Sequence, residues 1–196
     1  MNVRMLALLG SPRRGNSAAL LEAFCDGAAG AGLEATRLCA YDLDVNPCLA
    51  CGGCEDSGRC RAEDGMATVF RAFFDHPLVV IAAPVYFGSL PGHLKNLIDR
   101  FQCAWVAKYR LHRPWFEEGN GRRGYLLSVS ALDRRAFYEH SSAPVKALFR
   151  TLNYSDAGGI YFPGYDGAGD AGADQDALGR ARQAGERFAR ETRRGG

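Results

Sequence analysis

The sequence has almost no net charge. Its 24 Lys and Arg residues against 22 Asp and Glu leave a formal +2, which gives no electrostatic case for a nucleic-acid or membrane partner. No apolar run approaches the roughly 20 residues that a bilayer-spanning helix requires. The apolar start, MLALLG, is short and leads into GSPRRGNS rather than a small-residue cleavage site, so no targeting segment is read there. The default expectation is therefore a cytoplasmic location. Histidine is sparse, with only His76, His93, His112 and His140, and no Ser-His-Asp constellation is visible; loop or surface roles are expected for all four. Linkers and internal repeats are missing too, so residues 1–196 are read as a single domain. A chain of this length buries roughly 70% of its unfolded surface. The arginine-rich stretch from 180 to 194 reads as the solvated face of a terminal helix.

What is present is an alternation of strands and helices. Apolar runs at residues 3–10, 78–83 and 124–129 read as strands buried on both faces, with shorter strands at Glu34–Cys39 and 158–162. Helical spacing appears at 17–31, 65–74, 94–101 and 174–193, and Pro144 is taken to open a helix running to 152. Apolar strands that alternate with helices imply a parallel sheet covered on both sides. The expected fold is α/β, a doubly wound five-stranded parallel sheet in the order 2-1-3-4-5, with three α/β/α layers.

In such a sheet, ligands bind beyond the carboxyl ends of the strands. The first strand runs into GSPRRGNSAALL, residues 10–21. Hydroxyls at Ser11 and Ser17, the Asn16 amide and the start of a helix together suit an anion, and Arg13 can add a charge-assisted bond. This first loop carries neither a Walker-type pattern nor GxGxxG, which argues against ATP and a Rossmann-bound dinucleotide there. The plain alternative is a polar turn with a helix cap.

GSPRRGNS, together with APVYFGSLPGHLKNLIDR at 83–100, resembles the flavodoxin-like NAD(P)H-dependent FMN reductases. The four-cysteine segment CLACGGCEDSGRC at 48–60 narrows the likeness to the iron–sulfur flavoprotein branch. The resemblance covers residues 3–130 well and the C-terminal third loosely. It implies that the FMN phosphate falls on Ser11, Arg13, Asn16 and Ser17. Pro84, Val85, Tyr86, Phe87 and Gly88 would line the ribityl chain and the isoalloxazine ring, with Tyr86 against the ring. The third loop, beginning at Ser128, would also meet the ring, although it departs from the glycine-rich form usual in the family. NAD(P)H is the implied electron donor, and the acceptor is quinone-like or a ferredoxin-like redox partner. Homodimers or homotetramers, with a neighbouring subunit helping to form the flavin site, are implied as well. Lys108, Tyr109, Arg110 and His112 read as a solvated loop, with contact to nicotinamide phosphates as the rival. Trp105 and Trp115 are expected at a dimer contact or lid.

Cys48, Cys51, Cys54 and Cys60 follow C-x2-C-x2-C-x5-C within a cysteine-rich loop at 46–62. Three thiolates at two-residue gaps can converge on one face of a [4Fe–4S] cubane, and the longer gap lets the fourth close the coordination. Structural zinc more often uses two separated knuckles, and a reducing compartment disfavours disulfides. Thiols without a metal stay open, because family members with this spacing and a C-x3-D-D-M continuation can lack a visible cluster; residues 61–66 match that continuation in part. Cys25, Cys39 and Cys103 lie on apolar patterns and read as core residues. Two other function classes are kept beside the flavin enzyme. A flavodoxin-like electron carrier would show no NAD(P)H turnover. A non-catalytic zinc or cysteine-loop binding module would purify colourless.

Overall fold

The computed structural model describes residues 4–194; Val3, expected at the head of the first strand, lies outside them. The elements run β1 (Arg4–Leu9), α1 (Asn16–Gly30), β2 (Glu34–Cys39), a 3-10 turn at Ala40–Asp42, α2 (Met66–Asp75), β3 (Leu78–Pro84), α3 (Gly92–Asp99), α4 (Gln102–Tyr109), β4 (Arg123–Ser130), α5 (Arg135–Thr151), β5 (Ser155–Pro163), α6 (Asp170–Ala173) and α7 (Gln175–Arg194). All neighbouring strand pairs are parallel. The order β2-β1-β3-β4-β5 is the doubly wound, flavodoxin-like order expected. It reverses between β1 and β3, so the loops after these two strands flank the switch point where such sheets hold ligands.

The apolar strands build two cores, one on each face, because alternate residues point to opposite sides. Met5, Ala7, Leu78, Val80 and Ala82 pack beneath α1 and α7 with Phe24 and Phe188. Leu6, Leu8, Val79, Ile81 and Ala83 pack against the other helices, with Phe73, Leu97, Phe101 and Phe149. α1 and α7 approach backbone to backbone. A Cβ on Gly27 would overlap the Arg182 carbonyl, and one on Gly185 would overlap the Phe24 carbonyl.

Three expectations need correction. α5 begins nine residues before Pro144, which lies inside it. Proline removes one i→i−4 bond, yet Ser141, Ser142, Val145, Leu148 and Phe149 form one continuous buried face through that point. The polar run before Pro144 hid this face, since Arg135, Glu139 and His140 carry the outer side. Residues 108–109 are likewise not loop but the end of α4. Lys108 Nζ donates to the Arg150 carbonyl at 2.6 Å and to Asn153 Oδ1, so it satisfies the carboxyl end of α5. Trp115 is part of an aromatic cluster with Phe70, Phe74 and Phe101. Nor are all the histidines at the surface. His76 is buried between the Ala72 carbonyl and Thr36 Oγ1, each at 2.8 Å.

Candidate functional site

Two concavities open on the carboxyl side of the sheet. The smaller, about 240 Å³, joins the β1–α1 loop, the residues after β3, the end of β4 and the loop between β5 and α6. Ser11, Arg13, Asn16 and Ser17 all line it, so four residues adjacent in sequence do meet at one surface. The loop is shaped locally: Ser11 Oγ accepts the Arg13 N–H at 3.2 Å and donates to the Arg13 carbonyl at 3.1 Å, a hydroxyl turn that curls the chain. α1 starts after Gly15, which has no side chain to cap it. The N–H groups of its first turn and the positive end of its dipole therefore meet the concavity without a competing capping group.

Pro84, Val85 and Tyr86 line the same concavity. Val85 N–H donates to the Val129 carbonyl at 2.6 Å, fixing the segment against the β4 loop. Tyr86 and Ser89 then exchange backbone hydrogen bonds at 2.9 and 3.1 Å. Between them Phe87 and Gly88 hold φ of +50° and +75°, the two left-handed residues of a type I′ turn. Gly88 suits that turn. Phe87 does not, and its ring stands fully in solvent at 110% relative exposure. Neither residue lines the concavity; the turn sits at its rim.

Ser128 takes a different place from the one expected. It is buried, and its hydroxyl lies 3.1 Å from Ser141 Oγ on α5. β4 extends two residues past it, so the chain from this strand that reaches the concavity is Val129 and Ala131. Tyr165, Asp166 and Ala168 complete the lining. These residues of the glycine-rich 164–173 stretch were legible only as a loop, because nothing local in their sequence ties them to residue 16.

The larger concavity, about 620 Å³, lies under the cysteine loop. Cys48, Cys51, Cys54 and Cys60 all line it, together with Cys103, Arg61, Arg100 and Arg110. Ala50, Gly52 and Gly58 hold left-handed φ, which lets the chain turn tightly between the cysteines. The Gly53 backbone N–H, and after it the Arg61 guanidinium, hold the Cys51 thiol below its ordinary range. Burial, with Cys48, Cys60 and Cys51 nearby, pushes the Cys54 thiol up. Among the described residues, no three His, Cys, Asp or Glu side chains are gathered closely enough to hold a metal ion. Cys25 and Cys103 are buried, as expected of core thiols, and burial pushes both up to about 12.

Arg100 was missed as a functional residue. It ends the LKNLIDR run and is only 2% exposed. Its guanidinium donates to both oxygens of buried Asp64, to the Asn46 carbonyl at 2.7 Å and to Cys60 Sγ at 3.4 Å. Asp64 in turn accepts the N–H groups of Asn46 and Met66, each at 3.0 Å. The two ends of the cysteine loop are thus closed on one buried ion pair, and Trp115 Nε1 ties the loop to the core through the Gly58 carbonyl at 3.3 Å.

The family model described as NADPH-dependent FMN reductase matches residues 3–150. An iron–sulfur flavoprotein of Archaeoglobus fulgidus is 33% identical over 114 residues, which is 58% of this chain and 56% of that one. An iron–sulfur flavoprotein of Methanosarcina thermophila is 33% identical over 106 residues, 50% of this chain and 52% of the relative. The chain spans about half the length of the curated relatives it matches. Among solved structures, an NAD(P)H:quinone oxidoreductase from Methanothermobacter marburgensis superposes with a TM-score of 0.73 over 96% of each chain, at 18% identity. That likeness bears on the fold.

Proposed function

We propose that this chain, which belongs to the NADPH-dependent FMN reductase family, binds FMN in the smaller concavity and acts as an NAD(P)H-dependent flavin oxidoreductase. The observation that carries this reading is the meeting of Ser11, Arg13 and Ser17 with the uncapped start of α1 on one side and Pro84, Val85 and Tyr86 on the other, at the switch point of the sheet. The residues fit the cofactor chemically. Hydroxyls, a guanidinium and helix N–H groups suit a phosphate dianion, while Tyr86 and the extended backbone at 84–86 suit a flat conjugated ring. Bound FMN supplies the coupling of two-electron donors to one-electron acceptors. The chain's part is to hold the phosphate through Arg13 and α1, to orient the ring with the 84–86 backbone, and to shield it with the Phe87 turn at the rim.

The donor set of the larger concavity suits thiolate-ligated iron, with Cys48, Cys51, Cys54 and Cys60 as the residues that would hold a [4Fe–4S] cluster. The Gly53 N–H and the Arg100 guanidinium supply the N–H···S contacts that stabilise such thiolates. A cluster held there would supply one-electron transfer toward a ferredoxin-like partner; without one, the acceptor would be a quinone-like small molecule. A second reading, a cysteine loop without a cluster, is favoured by the lack of any gathered set of three ligands among the described residues. A cytoplasmic location and a homodimer or homotetramer belong to the same proposal.

Anaerobic purification, an absorption spectrum, and iron and acid-labile sulfide assays test these readings together. Flavin bands with about four irons per flavin support FMN and cluster. Flavin bands without iron, with NADH or NADPH oxidised on addition of a quinone, support the reductase with a bare thiol loop. Absence of flavin after reconstitution with FMN overturns the proposal.

A further inference from the structure

Asn16 belongs to the phosphate loop, and its amide was expected to bind the phosphate. The structure spends that amide elsewhere. Asn16 Oδ1 accepts the Gly169 N–H at 3.1 Å and the Ala171 N–H at 3.0 Å. Asn16 Nδ2 donates to the Gly167 carbonyl at 2.8 Å and to the Tyr165 carbonyl at 3.4 Å. A carboxamide offers one oxygen with two lone pairs and two N–H donors, so its whole capacity is taken by the loop between β5 and α6 and the first turn of α6. An incoming phosphate could recruit the side chain only by breaking one of these bonds. Tyr165, Asp166 and Ala168 of that same loop line the concavity.

The far end of the loop is fastened separately. Tyr165 N–H donates to the Ser130 carbonyl at 3.1 Å, its hydroxyl donates to Asp174 Oδ2 at 2.7 Å, and Gly167 N–H donates to Asp170 Oδ2 at 2.7 Å. Gly169, with φ at +94°, supplies the left-handed turn between the Gly169 and Ala171 N–H groups that Asn16 Oδ1 accepts.

We propose that the β5–α6 loop is a fourth wall of the flavin site, and that Asn16 is a positioning residue that pins this wall rather than a ligand of the phosphate. The wall's role in flavin binding rests on the FMN reading above; the pin rests on the hydrogen bonds alone. A wall contacts the sugar-like chain and ring of the ligand whether or not a phosphate is attached. A phosphate ligand, by contrast, distinguishes FMN from riboflavin. The two roles therefore separate by experiment.

The experiment titrates FMN and riboflavin into the full-length chain and into Asn16→Ala, Gly169→Ala and Ser17→Ala, and follows amide hydrogen exchange over residues 165–171. Asn16→Ala is expected to weaken both flavins by a similar factor, on the order of tenfold, as a part-buried, four-bond clasp is lost, and to speed exchange in 165–171. Gly169→Ala leaves Asn16 intact and meets no atom within 4 Å of the new Cβ, so it strains only the wall's turn; the same signature is expected. It decides the matter if Asn16→Ala does not fold. Ser17→Ala should weaken FMN alone, with exchange unchanged. Loss of FMN binding by Asn16→Ala with riboflavin unaffected, or unchanged affinity for both, would overturn the proposal. If the unmodified chain takes up neither flavin, the FMN reading and the wall fall together. The exchange rates of Asn16→Ala then decide the pin alone.

Discussion

Phe87 is the residue whose conformation is hardest to explain by stability alone. Its left-handed φ is rare for a bulky side chain and costs on the order of 1 kcal/mol, and its exposed ring recovers none of this by burial. Such strain concentrates where a loop serves a ligand. Phe87→Asn, the residue a type I′ turn prefers before glycine, is expected to raise the unfolding free energy by about 1 kcal/mol and to weaken FMN binding; urea unfolding and a flavin titration on the same sample check both. Asp64 shows the opposite economy. Burial alone would raise its carboxyl, but the Arg100 guanidinium and then the Met66 and Asn46 N–H groups outweigh burial and hold it at about 2. Because the folded chain titrates lower than the unfolded one, this carboxylate contributes about 2 kcal/mol that is complete above pH of about 4 and is lost as pH falls toward 2. Asp64→Asn should flatten the acid limb of the stability curve. It should also cost about 3–5 kcal/mol at neutral pH, since it leaves Arg100 buried without its partner. Denaturant unfolding between pH 2 and pH 7 measures both effects. Both halves lie in segments the sequence singled out, Asp64 in the 61–66 continuation and Arg100 at the end of 83–100, but nothing local pairs them. Thirty-six positions separate them, and only closure of the cysteine loop brings them together.

At the scale of elements, the strands were legible and some helices were not, for one physical reason. A parallel strand buried on both faces writes a continuous apolar run, and β1, β3 and β4 all do. A helix on the outer layer writes only one face. In α5 that face begins among charged residues, and Pro144 masks its helical signal without breaking the face. In α4 a basic residue caps the neighbouring helix instead of facing water. The small-residue contact between α1 and α7 was equally silent in sequence, because glycine in a helix ordinarily weakens it. Here Gly27 and Gly185 let two backbones touch. Gly185→Ala is expected to destabilise the fold by about 2–3 kcal/mol through overpacking, despite its better helix propensity, with a lowered Tm by calorimetry as the readout. FMN affinity should fall in the same variant, since α1 carries the phosphate loop at its other end.

For the molecule as a whole, the first and third strand loops pointed to the concavity proposed for the flavin because their chemistry lies within short contiguous segments. The fourth side of that concavity was hidden because its link to Asn16 crosses about 150 positions. Binding a ligand to the folded state alone stabilises the entire chain. FMN at a hundredfold excess over its Kd should therefore add about 2.7 kcal/mol, visible as a concentration-dependent rise in Tm that riboflavin reproduces at its own hundredfold excess. The Asn16 clasp also bears on synthesis. Translation delivers the residues that clasp the proposed phosphate loop about 150 positions after the loop itself. A nascent chain still lacking that segment presents the anion-binding turn with one side open to water and its carboxamide unengaged. Stable capture of the cofactor in the proposed site would thus wait until the residues beyond 165 have left the ribosome, long after the cradle.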